Sequence, residues 1–330
     1  MLGTLNFRAL QRPYFAISVV LIASAMLPGA ALAASARGMK VESLPARPLT
    51  GAACLLKVIA PKKLHDLHGK WLDHEIQFDS TDNGRTWVAL VGVSLTTKPG
   101  KYSLELEGKE IPALSHKTRQ GRGTQAKSSE GEGVAVKFSK KIPVVELKRK
   151  VIQEKPLEVE KKYTAPDPEI LKRVAQEKEL KTAAYGRTSD RALWSGSFVR
   201  PLDSVITETF GVRRVFNGDL RSEHHGVDFR AAPGTPVLAS QSGTVVLAQE
   251  LFYEGNCVIL DHGEGLFTIY MHFSKLLVKE GDRVQVLQKL GESGATGRVT
   301  GPHLHVSVLW KGVPLDLLSL TELKLPKFPE

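Results

Sequence analysis

Six of the ten histidines fall between residues 224 and 305, a concentration that a metal site or an acid–base site would produce. The sharpest element is His303-Leu304-His305. A strand alternates faces with period two, so both imidazoles point the same way, and one can bind a metal while the other stands beside it. The second element is His224-His225-Gly226-Val227-Asp228. If this segment is extended, His224 and Asp228 share a face, whereas His225 and Asp228 do not. Gly226 leaves room for close backbone approach. Two imidazoles and a carboxylate make a set suited to catalytic zinc, with a fourth position left for water. His272 closes an apolar run, and His262 sits beside Asp261 and glycines, where a turn role is expected. Just upstream, Arg213, Arg214 and Asn217 either contact substrate carboxylates or amides or serve a structural turn.

These residues need a scaffold that brings distant strands together. From about residue 198 to 320, Gly and Pro punctuate short β-rich runs such as "GTVVLAQE", "NCVILDHG", "FTIYMHF" and "HLHVSVLW", which predicts an all-β domain of hairpins. Residues 40–110 read as a smaller β domain. "CLLKVIA" is a short strand, Asp82-Asn83-Gly84 a turn, and Tyr102, Leu104 and Leu106 alternate, a pattern that suggests a sandwich. His65, His68 and His74 lie there without cysteine or acidic partners at ligand spacing, so a solvated or core-rim role is expected. Residues 111–197 read as a basic linker plus a helix. Its first part is polar and Gly-rich. The helix spans about 166 to 185, with Asp167 as cap, Pro168 in the first turn and Gly186 as stop. The fold class is therefore mainly β: a small N-terminal sandwich, a linker helix and a C-terminal all-β domain.

The chain begins like an export signal spanning residues 1–33. Arg8 and Arg12 precede the uncharged apolar run Tyr14 to Leu27, and Ala31-Leu32-Ala33 fits a small-x-small cleavage site. The run is shorter than the ~20 residues that span a bilayer, so cleavage should leave an exported protein with no stable membrane insertion. That places it in the periplasm or cell envelope, or outside the cell. A net charge of +10 favours an anionic partner such as nucleic acid, acidic lipid or a cell-wall polymer. No nucleic-acid recognition motif accompanies the charge, and export removes such targets. Cys54 and Cys257 do not make a disulfide framework, and both read as small buried hydrophobes.

Together, "HHGVDFRAAPGTPV", "NCVILDHGEGLFTIYMHFSKLLVKEGDRV" and "GESGATGRVTGPHLHVSV" resemble the lysostaphin/LytM-type zinc endopeptidase family over about residues 198–320. Residues 40–110 also resemble the β-sandwich that precedes the peptidase in some exported members. The resemblance implies a lysostaphin-like fold of the duplicated hybrid motif type, one Zn²⁺ per chain held by His224, Asp228 and His305, and peptidoglycan as substrate. It implies that His272 and His303 are the catalytic, non-ligand histidines; we take His303 as base and His272 as oxyanion stabiliser, an order that the sequence does not decide. His225 falls on the variable position of the motif. The other reading within this fold is a non-catalytic cell-wall binder or hydrolase activator. Such members lose ligands, and this chain has the full set. In multi-domain cell-wall hydrolases the front domain can also cover the groove.

Overall fold

A computed structural model describes residues 38–111, 134–147, 155–218 and 220–328. The export-signal segment 1–33 and most of the Gly-rich stretch lie outside the described residues. Eight strands build the front of the chain: β1 (Lys40–Leu44), β2 (Ala53–Ile59), β3 (Leu64–Trp71), β4 (His74–Gln77), β5 (Asp79–Ser80), β6 (Thr86–Gly92), β7 (Gly100–Glu110) and β8 (Ala135–Val144). They form two four-stranded sheets, ordered β1-β2-β6-β5 and β4-β3-β7-β8. Period-two alternation drives Leu104 and Leu106 inward, where they join Leu67, Trp71, Ile76 and Trp87 in the core. The turn at Asn83-Gly84 has positive φ at both residues, 57° and 98°, as a tight turn of this kind requires.

This sandwich does not stop at residue 110. β8 lies in the stretch read from composition as linker, yet it pairs with β7 from Lys109↔Ala135 to Gly100↔Val144. Val136, Ile142 and Val144 face the core, while Lys137, Lys140 and Lys141 interrupt the apolar pattern. Lysines on an edge strand discourage pairing with other chains, and here they also mask the strand in the composition.

A short strand β9 (Lys155–Leu157) and helix α1 (Pro168–Tyr185) lead into the second β layer. The Asp167 side chain accepts from the Ile170 N–H at 2.8 Å, and Pro168 opens the helix, as its residue types require. There follow β10 (Ile206–Glu208), β11 (Arg213–Phe216), β12 (Leu220–Glu223), β13 (Val227–Arg230), β14 (Pro236–Leu238), β15 (Gly243–Leu251), β16 (Gly255–Asp261), β17 (Leu266–Leu276), β18 (Arg283–Val284), β19 (Lys289–Ser293), β20 (His303–Trp310), β21 (Val313–Leu315) and helix α2 (Leu317–Glu322). The main path of the large sheet runs β10-β13-β20-β17-β16-β15-β18. A small sheet ordered β12-β11-β9 stands beside it, with β9 parallel to β11.

The two β layers share a core. The Ser319 hydroxyl accepts from the Ala53 N–H at 2.9 Å, the Asp316 N–H donates to the Gly51 carbonyl at 2.8 Å, and His74 packs edge-on against Trp310 at 4.9 Å. A Cβ on Gly92 would lie 2.9 Å from Leu315 and Trp310. Cys54 and Cys257 are both buried free thiols, and burial raises the Cys54 thiol to about 12. No helix of the described residues is long and apolar enough to cross a membrane.

Candidate active site

Strand pairing sets the centre of the site. Asp228 on β13 stands opposite His305 on β20, and Met271 on β17 flanks His305 from the other side. Cross-strand neighbours of this kind share a face, so the Asp228 Oδ1 and His305 Nδ1 atoms meet at 2.7 Å. His224 reaches the same point from the connection between β12 and β13. Its Nε2 lies 3.1 Å from Asp228 Oδ1 and 3.1 Å from His305 Nδ1. The pairing of His224 with Asp228 is as expected, but the segment bends between them instead of running as one strand. Gly226 permits the bend: a Cβ there would lie 2.4 Å from His305 Nε2 and 2.7 Å from the Val306 carbonyl.

The second ring nitrogens decide what the first ones can do. His224 Nδ1–H donates to the Thr209 carbonyl at 2.9 Å, and His305 Nε2 lies 2.8 Å from the Ser307 hydroxyl. If His305 donates to Ser307, both neutral rings turn a bare lone pair toward the Asp228 carboxylate. Three buried donor atoms then converge with no proton between them, an arrangement that calls for a cation. Two imidazole nitrogens and one carboxylate oxygen match the zinc preference. His224, Asp228 and His305 also form a group of ligand atoms within 4.8 Å of one another.

Charges around the centre reinforce this. Burial alone would raise the Asp228 pKa, but when the His224 and His305 rings carry protons facing it, their hydrogen bonds and charges hold it well below the usual carboxylate range. Burial lowers the His305 pKa to about 4, against the opposing pull of Asp228. Arg214 on β11 bridges Glu208 and Asp228, with its Nη2 2.7 Å from Asp228 Oδ2. Of the three upstream residues singled out in the sequence, Arg214 therefore lines the cleft. Arg213 is exposed. Asn217 has φ 49° and brackets the linker: its side chain accepts from the Val159 N–H and donates to the Val159 carbonyl and the Thr164 hydroxyl.

His272 and His303 stand beside the centre, with ring centroids 4.9 Å apart. Nδ1–H of His272 donates to the Thr296 carbonyl, and Nδ1–H of His303 to the Gly301 carbonyl, both at 2.8 Å. In the neutral state each ring thus keeps Nε2 as a free acceptor. The His303 Nε2 lies 3.8 Å from Asp228 Oδ1. His272 has φ 67° and sits where β17 gains one residue relative to β16, between the pairs Asn256↔Phe273 and Val258↔Tyr270. This bulge re-aims the side chain. Burial, with His303 and His305 nearby, lowers the His272 pKa to about 3.

An open cleft of about 510 Å³ runs over these residues. Its walls include residues that the sequence reading passed over: Glu208, Tyr253, Glu254 and Arg298, together with Leu157 and Val159 from the linker. No residue of the sandwich lines the cleft among the described residues. Helix α1 supports one rim, because Glu177 accepts from the Phe252 N–H at 2.9 Å and Lys181 pairs with Glu254. Only contact across the fold identifies these residues; the helix shows no local sign of such a role.

Residues 222–317 match the family model described as Peptidase family M23. The chain is similar to the peptidoglycan DD-endopeptidase ShyA of Vibrio cholerae, 43% identical over 121 residues, which are 36% of this chain and 28% of that protein. It is also similar to ShyC of the same organism, described in the same words, 36% identical over 135 residues, or 40% of this chain and 31% of that protein. The matched stretches thus span less than a third of either relative. A crystal structure of an M23 protein from Pseudomonas aeruginosa aligns over 83% of this chain and 95% of its own, with a TM-score of 0.57 and 26% identity.

Proposed function

From a chain that carries a peptidase family M23 domain at residues 222–317, we infer an exported zinc-dependent endopeptidase that hydrolyses peptide bonds in peptidoglycan cross-links or stem peptides. The observation that carries this reading is the convergence of His224, Asp228 and His305 in one open cleft, with His272 and His303 beside them. His224, Asp228 and His305 would hold the zinc. Bound there, zinc supplies a Lewis acid that lowers the pKa of water to about 7 and polarises the scissile carbonyl.

The chain's own residues orient the groups and move protons. Thr209 and Ser307 hold the ligand rings, and Arg214 holds the carboxylate. His272 and His303 each donate Nδ1–H to a backbone carbonyl and keep Nε2 for the cleft, where one ring accepts the proton of the attacking water and the other holds a proton for the oxyanion and the leaving nitrogen. The basic surface and the relatives' DD-endopeptidase descriptions support peptidoglycan as the partner and the cell envelope as the place of action.

Digestion of purified sacculi, followed by mass analysis of the released muropeptides, tests the reading. The wild-type chain should release peptides cut at one defined bond. His305→Ala should lose bound zinc and at least ~10³-fold in rate. Release by neither protein would leave only a binding role.

A further inference from the structure

Three arginines line the cleft; Arg230 is exposed, and Arg214 and Arg298 are used differently. Arg214 commits its guanidinium to Glu208 and Asp228. Arg298 sits between two aromatic rings, with Cζ 4.7 Å from the Phe216 centroid and 5.0 Å from that of Tyr253. Ring faces attract the cation but consume none of its N–H donors. Among the described residues no carboxylate lies within ion-pair distance of it; Glu254 acts on it only from further away. A half-buried guanidinium without an anion is an expensive arrangement, and the charge of Arg214 nearby adds to the cost. A bound anion would relieve both.

The surroundings fix the position of this group. The Arg298 N–H donates to the Tyr253 carbonyl at 2.9 Å. A Cβ on the preceding Gly297, at φ 75°, would lie 2.6 Å from that carbonyl, so the close approach needs glycine. Two residues earlier, the Thr296 carbonyl takes the proton of His272 Nδ1. The second ring, Phe216, pairs with Leu157 of the linker strand β9. The stack is thus joined to the group that orients His272 and to the cleft wall that the linker supplies.

We propose that Arg298 recognises a free carboxylate on the peptide substrate. The inference rests on the peptidase reading above and narrows its substrate class to peptides that carry an unamidated carboxylate beside the bond presented to the cleft. A planar guanidinium pairs with a carboxylate through two parallel N–H···O bonds. A carboxamide offers one acceptor and no charge. Cross-linked stem peptides carry such carboxylates, and amidation removes them.

Binding tests this without turnover. The full chain carrying His303→Ala is titrated calorimetrically with two synthetic cross-linked peptide dimers, identical except that the carboxylate next to the cross-link is free or amidated. The free form should bind at least ~10-fold more tightly. Arg298→Gln should bring the two affinities within about 2-fold, with thermal stability and zinc content unchanged. Arg298→Lys keeps the charge but loses the fork, and should retain only part of the preference. Equal binding of the two peptides by the arginine-bearing chain, no binding of either, or a preference that survives both substitutions would overturn the proposal. The contrast between the two peptides decides the matter even if Arg298→Gln does not fold. If the preference is present but the wild-type chain releases nothing from sacculi, the peptidase reading falls and the carboxylate site stands.

Discussion

Between β1 and β8 the buried side chains are apolar with two exceptions among the described residues, Thr50 and Glu110. Each has a partner: the Thr50 hydroxyl accepts from the Leu147 N–H, and Glu110 pairs with Lys62. Around β13, β17 and β20 the same kind of β framework buries His224, Asp228, His262, His272, His305 and Ser307. Burying polar groups costs free energy unless every one is paired. The sandwich avoids most of that cost, Asp79 Oδ2 apart, and the cleft accepts it. The difference teaches that two layers with one architecture can divide the work. One supplies apolar packing, against Trp310 and Leu315. The other holds the polar cluster.

His262 and His272 repeat the contrast within one domain. Both are buried, and burial lowers their pKa values to about 4 and about 3. His262 is satisfied on both sides, by the Ser242 carbonyl at 2.8 Å and the Thr268 hydroxyl at 2.7 Å. His272 has a protein partner at Nδ1 alone. The first is a structural strut. The second keeps a nitrogen for the cleft.

The largest effect should come from the cleft itself. His272→Ala and His303→Ala should each lower turnover on sacculi by ~10²–10⁴-fold while metal analysis still finds one zinc per chain. Loss of the metal in either variant would make that ring a structural part of the centre. Next comes the joint between layers. Gly92→Val places atoms against Leu315 and Trp310 and should cost ~1–3 kcal/mol, read as a lower denaturation midpoint; an unchanged midpoint would mean that the layers do not depend on each other.

A smaller effect is expected at Glu264, near the same joint. Burial and the charge of Asp79 raise its pKa to about 8. A carboxyl with a raised folded pKa holds its proton longer in the native state, so it lowers stability as pH rises from the unfolded value of about 4.5 through about 8. Glu264→Gln should remove that part of the decline and stabilise the protein above pH ~8 by ~1–2 kcal/mol, measured by denaturant unfolding at pH 5 and 9. An equal effect at both values would contradict the sign. The smallest effect belongs to the sandwich surface. His65 is exposed, and His65→Ala should change stability by less than ~0.5 kcal/mol and leave sacculus digestion unaltered. A loss of activity there would erase the division between the layers.

Residue type and period were enough to make His224, Asp228, His303 and His305 candidates, to predict α1 from its cap and proline, and to predict a mainly β chain. These signals are local: a side chain's chemistry and its place in a repeat of two or 3.6 are written along the chain. What lay beyond their reach was set by long-range contact. β8 joins the sandwich because β7 offers it an edge, although its lysines read as linker. His272 turns into the cleft because one extra residue bulges β17 against β16. Arg298 acquires its aromatic stack from Phe216 and Tyr253, distant in sequence. Asp228 and His305 are 77 positions apart and meet only when β13 and β20 pair. The sequence determined which groups could do chemistry; the closing of the sheets decided which of them stand together.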